Sequence, residues 1–239
     1  MHIALSAVVG LIAGPFLHHL AVQSGADHPF RLQAARCRRC GDPAVFLGRC
    51  PGCGSGPARA VLTACLSAAL FALTAWWSGR SWLLAAYLFF AGMSVVLLIT
   101  DLDHKRIPNR ITYPATPAAA VLLAITAAAD GLGHLVPRAL MGALTYAGIF
   151  AVIYLVARGG FGFGDVKLAV SLGLFTAFLG WDRLFLAGLA TAGIGGVIAL
   201  VALVAGRAGA KTEIPYGPPM IAGSWLSILA GPWLSTWVL

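Results

Sequence analysis

Eight apolar runs, each close to the length of a membrane-spanning helix, dominate this chain of 239 residues. A hydrocarbon core about 30 Å thick takes about 20 residues of helix to cross, and backbone in lipid must hydrogen-bond within its own structure. The runs show no alternation of apolar and polar residues, which disfavours a membrane β-barrel. The sequence therefore predicts an all-α integral membrane protein with about eight transmembrane helices. The runs are 3–22, 60–78, 82–100, 112–129, 139–157, 166–181, 184–206 and 217–238.

The composition excludes an ordinary water-soluble domain. Hydrophobic residues make up 59% of the chain and charged residues only 10%, whereas soluble domains carry about 25% charged residues. A net charge of +8 would suggest nucleic acid as the partner of a soluble chain. Here basic loops beside a lipid bilayer account for the charge, so no nucleic-acid partner is predicted. The first run has no basic start and no small-residue cleavage site after it, so we expect a retained helix.

The distribution of basic residues predicts the orientation of the helices. Thirteen of the sixteen Lys and Arg residues lie in the loops after the first, third, fifth and seventh runs. The positive-inside rule places these loops in the cytoplasm and both termini outside. The third run then ends at Asp101, and the sixth begins at Asp165, on the same side of the membrane. We expect these two acids to lie at the same depth and to meet.

A carboxylate beside an apolar helix is a candidate functional group, because a charge in hydrocarbon costs about 2.5–3.5 kcal/mol on insertion scales. Two carboxylates that share a site retain one proton between them. The ionised one can take a proton from water while the protonated one donates to a carbonyl or a leaving amine. Gly162 and Gly164 would let an extended backbone pass close to Asp165 without side-chain clashes.

Two other interpretations of the acids are open at this point. Asp165 is suited to be the N-cap of a helix beginning near Val166, and Asp101, with Asp103 and His104, to lie in a solvated loop. Alternatively, a non-enzymatic transporter or assembly factor would use the acids as a cation or proton path. A transporter places its polar groups near mid-membrane depth, whereas these acids cluster at one face.

The cysteines predict a metal site in the first cytoplasmic loop. Four of the five form two CxxC pairs: Cys37 with Cys40, and Cys50 with Cys53. This spacing suits four thiolates around one tetrahedral zinc ion, and four protein ligands leave no open position, so the zinc would be structural. Redox thiols or disulfides are the alternative. The fifth, Cys65, is expected to be a small buried hydrophobe.

The predicted division of the chain is a first helix at 1–22, a zinc-ribbon-like cytoplasmic segment at 23–59 and a seven-helix core at 60–239.

Four segments, in this order, carry a resemblance to a known family. They are Gly48–Gly54 (GRCPGCG), Asp101 followed by Ile107-Pro108-Asn109, Gly162-Phe163-Gly164-Asp165 followed by Lys167-Leu168, and Ile214-Pro215-Tyr216-Gly217-Pro218-Pro219. Together they resemble the type IV prepilin peptidases, which are GxGD-type intramembrane aspartic proteases. The last segment is similar to the IPFGP-like stretch that opens the family's final helix. With the eight-helix layout, the resemblance covers nearly the whole chain.

The resemblance implies a reaction and a role for each acid. Asp101 and Asp165 would be the catalytic pair, and Asp103 a supporting acid seen in some members. The substrate would be a prepilin or pseudopilin of a type IV pilus or type II secretion system, cut after its short basic leader at the cytoplasmic face of the inner membrane. Lys167 would hold a carboxylate or a substrate group, or else is a snorkelling helix-end residue.

A second activity stays open on the sequence alone. The resemblance implies that longer members also methylate the new N-terminus with S-adenosylmethionine. Here the two CxxC pairs are closer together than in that pattern, and residues 11–43 show no clear match to the motif that precedes them. No glycine-rich nucleotide loop after a strand supports cofactor binding independently. The sequence leaves the oligomeric state undetermined.

Overall fold

The computed structural model describes residues 1–24, 58–79, 81–104, 107–156, 162–206 and 216–230. Within these ranges the chain is helical and contains no strand, which confirms the predicted fold class. A 3₁₀ turn at Gly133–Leu135 precedes the fifth helix. The helices are α1 (His2–Ser24), α2 (Ala58–Ser78), α3 (Leu83–His104), α4 (Asn109–Ala129), α5 (Val136–Val156), α6 (Phe163–Leu179), α7 (Trp181–Val204) and α8 (Gly217–Leu229).

Six of these helices, α1 to α5 and α7, are long and apolar enough to cross a membrane. The two others are shorter over the described residues: α6 has 17 residues and α8 has 13. At 1.5 Å per residue, α6 is about 26 Å long, slightly less than a hydrocarbon core. Six candidate spans are thus observed, and the expected crossings by α6 and α8 stay predictions.

The first of two compact units, Met1–Asp103, holds α1, α2 and nearly all of α3. Close packing of α1 on α2 depends on small residues, because a Cβ atom at Gly10 would lie 2.6 Å from the carbonyl oxygen of Ser67. Such contacts let helix backbones approach closely where lipid offers no hydrophobic driving force. Between α2 and α3, the rings of Trp77 and Tyr87 pack with centroids 4.9 Å apart.

The second unit, His104–Leu239, is built around α6. This helix contacts α4, α5, α7 and α8, and most of its residues are buried. Its backbone approaches that of α5 so closely that a Cβ atom at Gly173 would lie 2.7 Å from the Gly142 carbonyl oxygen. Toward α4, the hydroxyls of Thr116 and Ser171 hydrogen-bond at 2.7 Å. Four neighbouring helices therefore hold α6 in place.

Arg138 of α5 caps the C-terminal end of α6. Its Nε donates to the carbonyl oxygen of Ala177 at 2.9 Å, and its Nη2 donates to that of Phe178 at 2.5 Å. The last carbonyls of a helix lack partners within it, and a positive charge near this end interacts favourably with the negative end of the helix dipole. The sequence identified Arg138 only as a loop cation, so its structural role was missed.

The cysteine predictions have different outcomes. Cys65 is exposed on α2, so the prediction that it is buried is wrong. The thiol lies on a face of a membrane-length helix that the other described residues leave uncovered. The zinc-ribbon-like segment, with its four cysteines, lies outside the described residues and stays a prediction. The described ranges contain no group of three or more His, Cys, Asp or Glu side chains placed to hold a metal ion.

Candidate active site

Asp165 lies in the first turn of α6 and is buried, with 7% of its surface exposed. Its Oδ2 accepts a hydrogen bond from the backbone N–H of Gly162 at 3.2 Å, while its own N–H donates to the Gly162 carbonyl at 3.0 Å. Asp165 is therefore the third helical residue, and Gly162 is the N-cap. The alternative that Asp165 is the N-cap of a helix starting near Val166 is wrong, because α6 begins three residues earlier. A carboxylate at this position interacts favourably with the positive end of the helix dipole.

The two glycines before Asp165 have different surroundings. Gly162 is exposed and has ordinary extended backbone angles, and a Cβ atom there would come no closer than 3.8 Å to its nearest neighbours in the described part of the chain, which are Oδ2 of Asp165 and the nitrogen of Gly164. At Gly164 a Cβ atom would lie 3.1 Å from the Cβ of Ile107 and 3.5 Å from its backbone nitrogen. Gly164 thus lets the segment before α4 pack on the first turn of α6. Passage of a substrate backbone along these glycines stays a prediction.

Lys167 connects the beginnings of α4 and α6. Its ammonium donates to Oδ1 of Asn109 at 2.5 Å and lies 5.0 Å from the ring centroid of Tyr113 and 4.7 Å from that of Phe163. Both rings are within the roughly 6 Å range of cation–π attraction. Among the described residues the ammonium is thus paired with an amide oxygen and two aromatic faces. The sequence shows Asn109 only as part of a motif and gives no signal for Tyr113.

Tyr216, immediately before α8, lies within electrostatic reach of Asp165. Its ring packs on α7 at Gly195, where a Cβ atom would lie 2.7 Å from Cε2 and 3.0 Å from the hydroxyl oxygen. Burial, followed by the negative charge of Asp165, raises the pKa of the Tyr216 hydroxyl above its usual value of 10. The hydroxyl therefore keeps its proton at neutral pH and can donate a hydrogen bond. The Ile214–Pro219 motif was the available signal for this residue.

The two acids of α3 belong to the first unit. Asp101 is buried, with 4% exposed, and it lies within α3 rather than in a loop, because the helix continues to His104. Asp103 pairs with Arg59 at the start of α2, with Oδ1 and Nη1 3.1 Å apart. The ion pair joins the end of α3 to the start of α2. Asp101 and Asp165 lie in different units, and their meeting stays a prediction.

Comparison with known proteins gives consistent matches. The model of the type IV leader peptidase family matches residues 88–200, a range that contains both acidic segments but none of the four clustered cysteines. A prepilin leader peptidase/N-methyltransferase of Bacillus subtilis (strain 168) is 29% identical, covering 94% of this chain and 92% of its own. One with the same name from Aeromonas salmonicida (strain A449) is 28% identical, over 89% of this chain and 77% of its own.

A shorter relative is also similar to this chain. The leader peptidase HopD of Escherichia coli is 32% identical, and the match covers 59% of this chain and 93% of that relative. No solved structure matches the chain. The sequence similarity is thus concentrated on named leader peptidases, with and without a methyltransferase in the name.

Proposed function

Because the chain belongs to the type IV leader peptidase family and is an aspartic endopeptidase of it, we propose that it removes the short basic leader of prepilin or pseudopilin precursors. Cleavage takes place at the cytoplasmic face of the inner membrane, just before the hydrophobic helix of the precursor. The observation that carries this proposal is the buried carboxylate of Asp165, held in the first turn of α6 inside the family's motif.

In the proposed mechanism Asp101 and Asp165 share one proton. The ionised carboxylate takes a proton from the water that attacks the scissile carbonyl, while the protonated carboxyl donates its proton to the carbonyl oxygen and a gem-diol forms. The carboxyl that took the proton from water then donates it to the leaving amine as the C–N bond breaks, and a gem-diol hydroxyl returns a proton to the other carboxylate. The proton belongs to the pair rather than to either residue. Asp103 supports the site through its ion pair with Arg59 rather than by touching the substrate.

The direction of the helices supports the cytoplasmic placement. A basic leader is retained inside by the same rule that retains the basic loops of this chain. The orientation deduced from those loops places the end of α3 and the start of α6 on that side. A precursor whose hydrophobic helix enters the bilayer there presents its leader junction at the depth of the two acids.

The direct test is mass spectrometry of a prepilin incubated with the purified protein. We expect the wild type to remove a mass equal to the leader, and Asp101→Asn and Asp165→Asn each to abolish cleavage without loss of folded protein. Each change removes a carboxylate that the proton transfer requires. Asp103→Asn serves as the matched control and should retain most of the activity. Full activity in either of the first two variants would remove that residue from the mechanism.

The alternative is a transporter or assembly factor that uses the acids as a cation or proton path. Failure of the folded wild type to cleave several pilin-like precursors would favour it. In that case Asp165→Asn should instead abolish acid- or cation-driven uptake in vesicles that contain the protein.

We also propose a structural zinc ion and leave methyl transfer as a second activity to be measured. Four thiols in two CxxC pairs form a donor set suited to zinc, held by Cys37, Cys40, Cys50 and Cys53. The names of the Aeromonas salmonicida and Bacillus subtilis relatives, which include an N-methyltransferase, favour methylation of the new N-terminus. Adding S-adenosylmethionine to the cleavage assay should then increase the product mass by one methyl group.

A further inference from the structure

The ammonium group of Lys167 contacts residues of two different helices. It lies two residues after Asp165, yet its hydrogen bond goes to the side chain of Asn109, 58 positions away in the chain. The rings of Tyr113, one turn further along α4, and Phe163, at the start of α6, both lie within 5.0 Å of the ammonium. We call the contacts among Asn109, Tyr113, Phe163 and Lys167 the lysine clamp.

The clamp joins the starts of α4 and α6, two segments whose contact the sequence does not reveal. Asn109 is the first residue of α4 and Phe163 the first residue of α6. A second contact lies beside it, because Ile107 packs so close to Gly164 that a Cβ atom added there would lie 3.1 Å from the Cβ of Ile107. The amide, the two rings and the Ile107 contact thus hold the α6 turn that carries Asp165 against the start of α4.

We propose that Lys167 is a positioning residue, which fixes the first turn of α6, and with it the carboxylate of Asp165, through the lysine clamp. This inference rests on the proposed function. A lysine that only kept its charged head in water would need neither an amide oxygen nor aromatic faces as partners, and Lys167 has all three. Since displacement of a reacting group by about 1 Å can cost about 100-fold in rate, loosening this turn acts on catalysis more than on substrate binding.

The test compares kcat and KM for prepilin cleavage in four variants. Lys167→Met keeps the apolar stem and removes the ammonium, and we expect kcat to fall on the order of 10- to 100-fold with KM little changed. Lys167→Arg keeps a cation that can donate to the amide and stack on the rings, and it should recover much of the lost kcat. Asn109→Leu should lower kcat by a similar factor. The double variant, which combines Lys167→Met with Asn109→Leu, should lose no more kcat than the more impaired single variant, because both changes act through one contact.

Arg110→Met is the matched control, since it removes a neighbouring exposed cation that is not one of the four residues of the lysine clamp. Folded protein is checked for every variant by its thermal unfolding in detergent. A rise in KM with kcat unchanged in Lys167→Met would overturn the proposal and assign Lys167 to substrate binding. Equal losses in Arg110→Met, additive losses in the double variant or normal cleavage by Lys167→Met would overturn it as well. Absence of cleavage by the wild type would instead reject the proposed function.

Discussion

At the scale of single residues, the structure separates groups that look alike in the sequence. Asp101 and Asp165 are buried, whereas Asp103 is engaged with Arg59. Gly162 and Gly164 flank one phenylalanine, but within the described ranges a methyl group would crowd a neighbour at Gly164 and not at Gly162. The physical reason is that a residue's role here depends on which element packs against it, and that element is distant in sequence.

Gly164→Ala should therefore lower cleavage and stability, while Gly162→Ala should be close to neutral. The added methyl group at 164 would lie 3.1 Å from the Cβ of Ile107, and overpacking of this kind costs about 1–3 kcal/mol. At 162 the backbone angles suit any residue, and among the described residues no atom lies closer than 3.8 Å to an added Cβ atom. Thermal unfolding in detergent and prepilin cleavage measure the two effects. Equal behaviour of the two variants would contradict the steric argument.

At the scale of elements, contacts with other helices fix α6 at both of its ends. Its first turn carries Asp165 and is held by Gly164 against Ile107 and by the lysine clamp. Its last carbonyls are held by Arg138. Between the ends, most of its side chains are buried among its neighbours. A helix held in this way keeps its first turn, and with it the carboxylate of Asp165, in a fixed position relative to its neighbouring helices.

Arg138→Met should destabilise the protein, because the carbonyls of Ala177 and Phe178 would lose charged donors. Hydrogen bonds to charged groups contribute about 1.5–3 kcal/mol. Thr145→Ala on the same helix is the matched control, since the Thr145 hydroxyl bonds only to the Met141 carbonyl of its own helix among the contacts of the described residues. The midpoint of thermal unfolding in detergent should fall for Arg138→Met and stay near the wild-type value for Thr145→Ala. The same midpoint in both variants would show that the cap contributes nothing.

At the scale of the whole molecule, the membrane-length helices and the cysteine-rich segment 23–59, which the sequence predicts to be cytoplasmic, call for separate tests. The described helices account for both acids but for none of the four clustered cysteines. A structural metal supplies folding energy to the segment that binds it, so its loss acts on that segment first.

Cys37→Ser and Cys50→Ser should each reduce the zinc content of the purified protein, because each removes one of four thiolate ligands. Cys65→Ser offers a control within the chain, since this thiol lies on α2 rather than in the cluster. Elemental analysis against protein concentration provides the measurement. Zinc content equal to that of the wild type in Cys37→Ser would reject the ligand assignment. Loss of zinc from Cys65→Ser would show that the effect is not specific.

The sequence by itself determined the fold class, the approximate helix ranges, the family and the acids at the ends of two helices. Those features depend on local composition and spacing, since apolar length and motif order are readable along the chain. Only the tertiary structure decided the contacts of Gly164 with Ile107, Lys167 with Asn109, and Arg138 with the end of α6. Each joins residues more than thirty positions apart, and such pairings follow from helix packing, which periodicity does not encode.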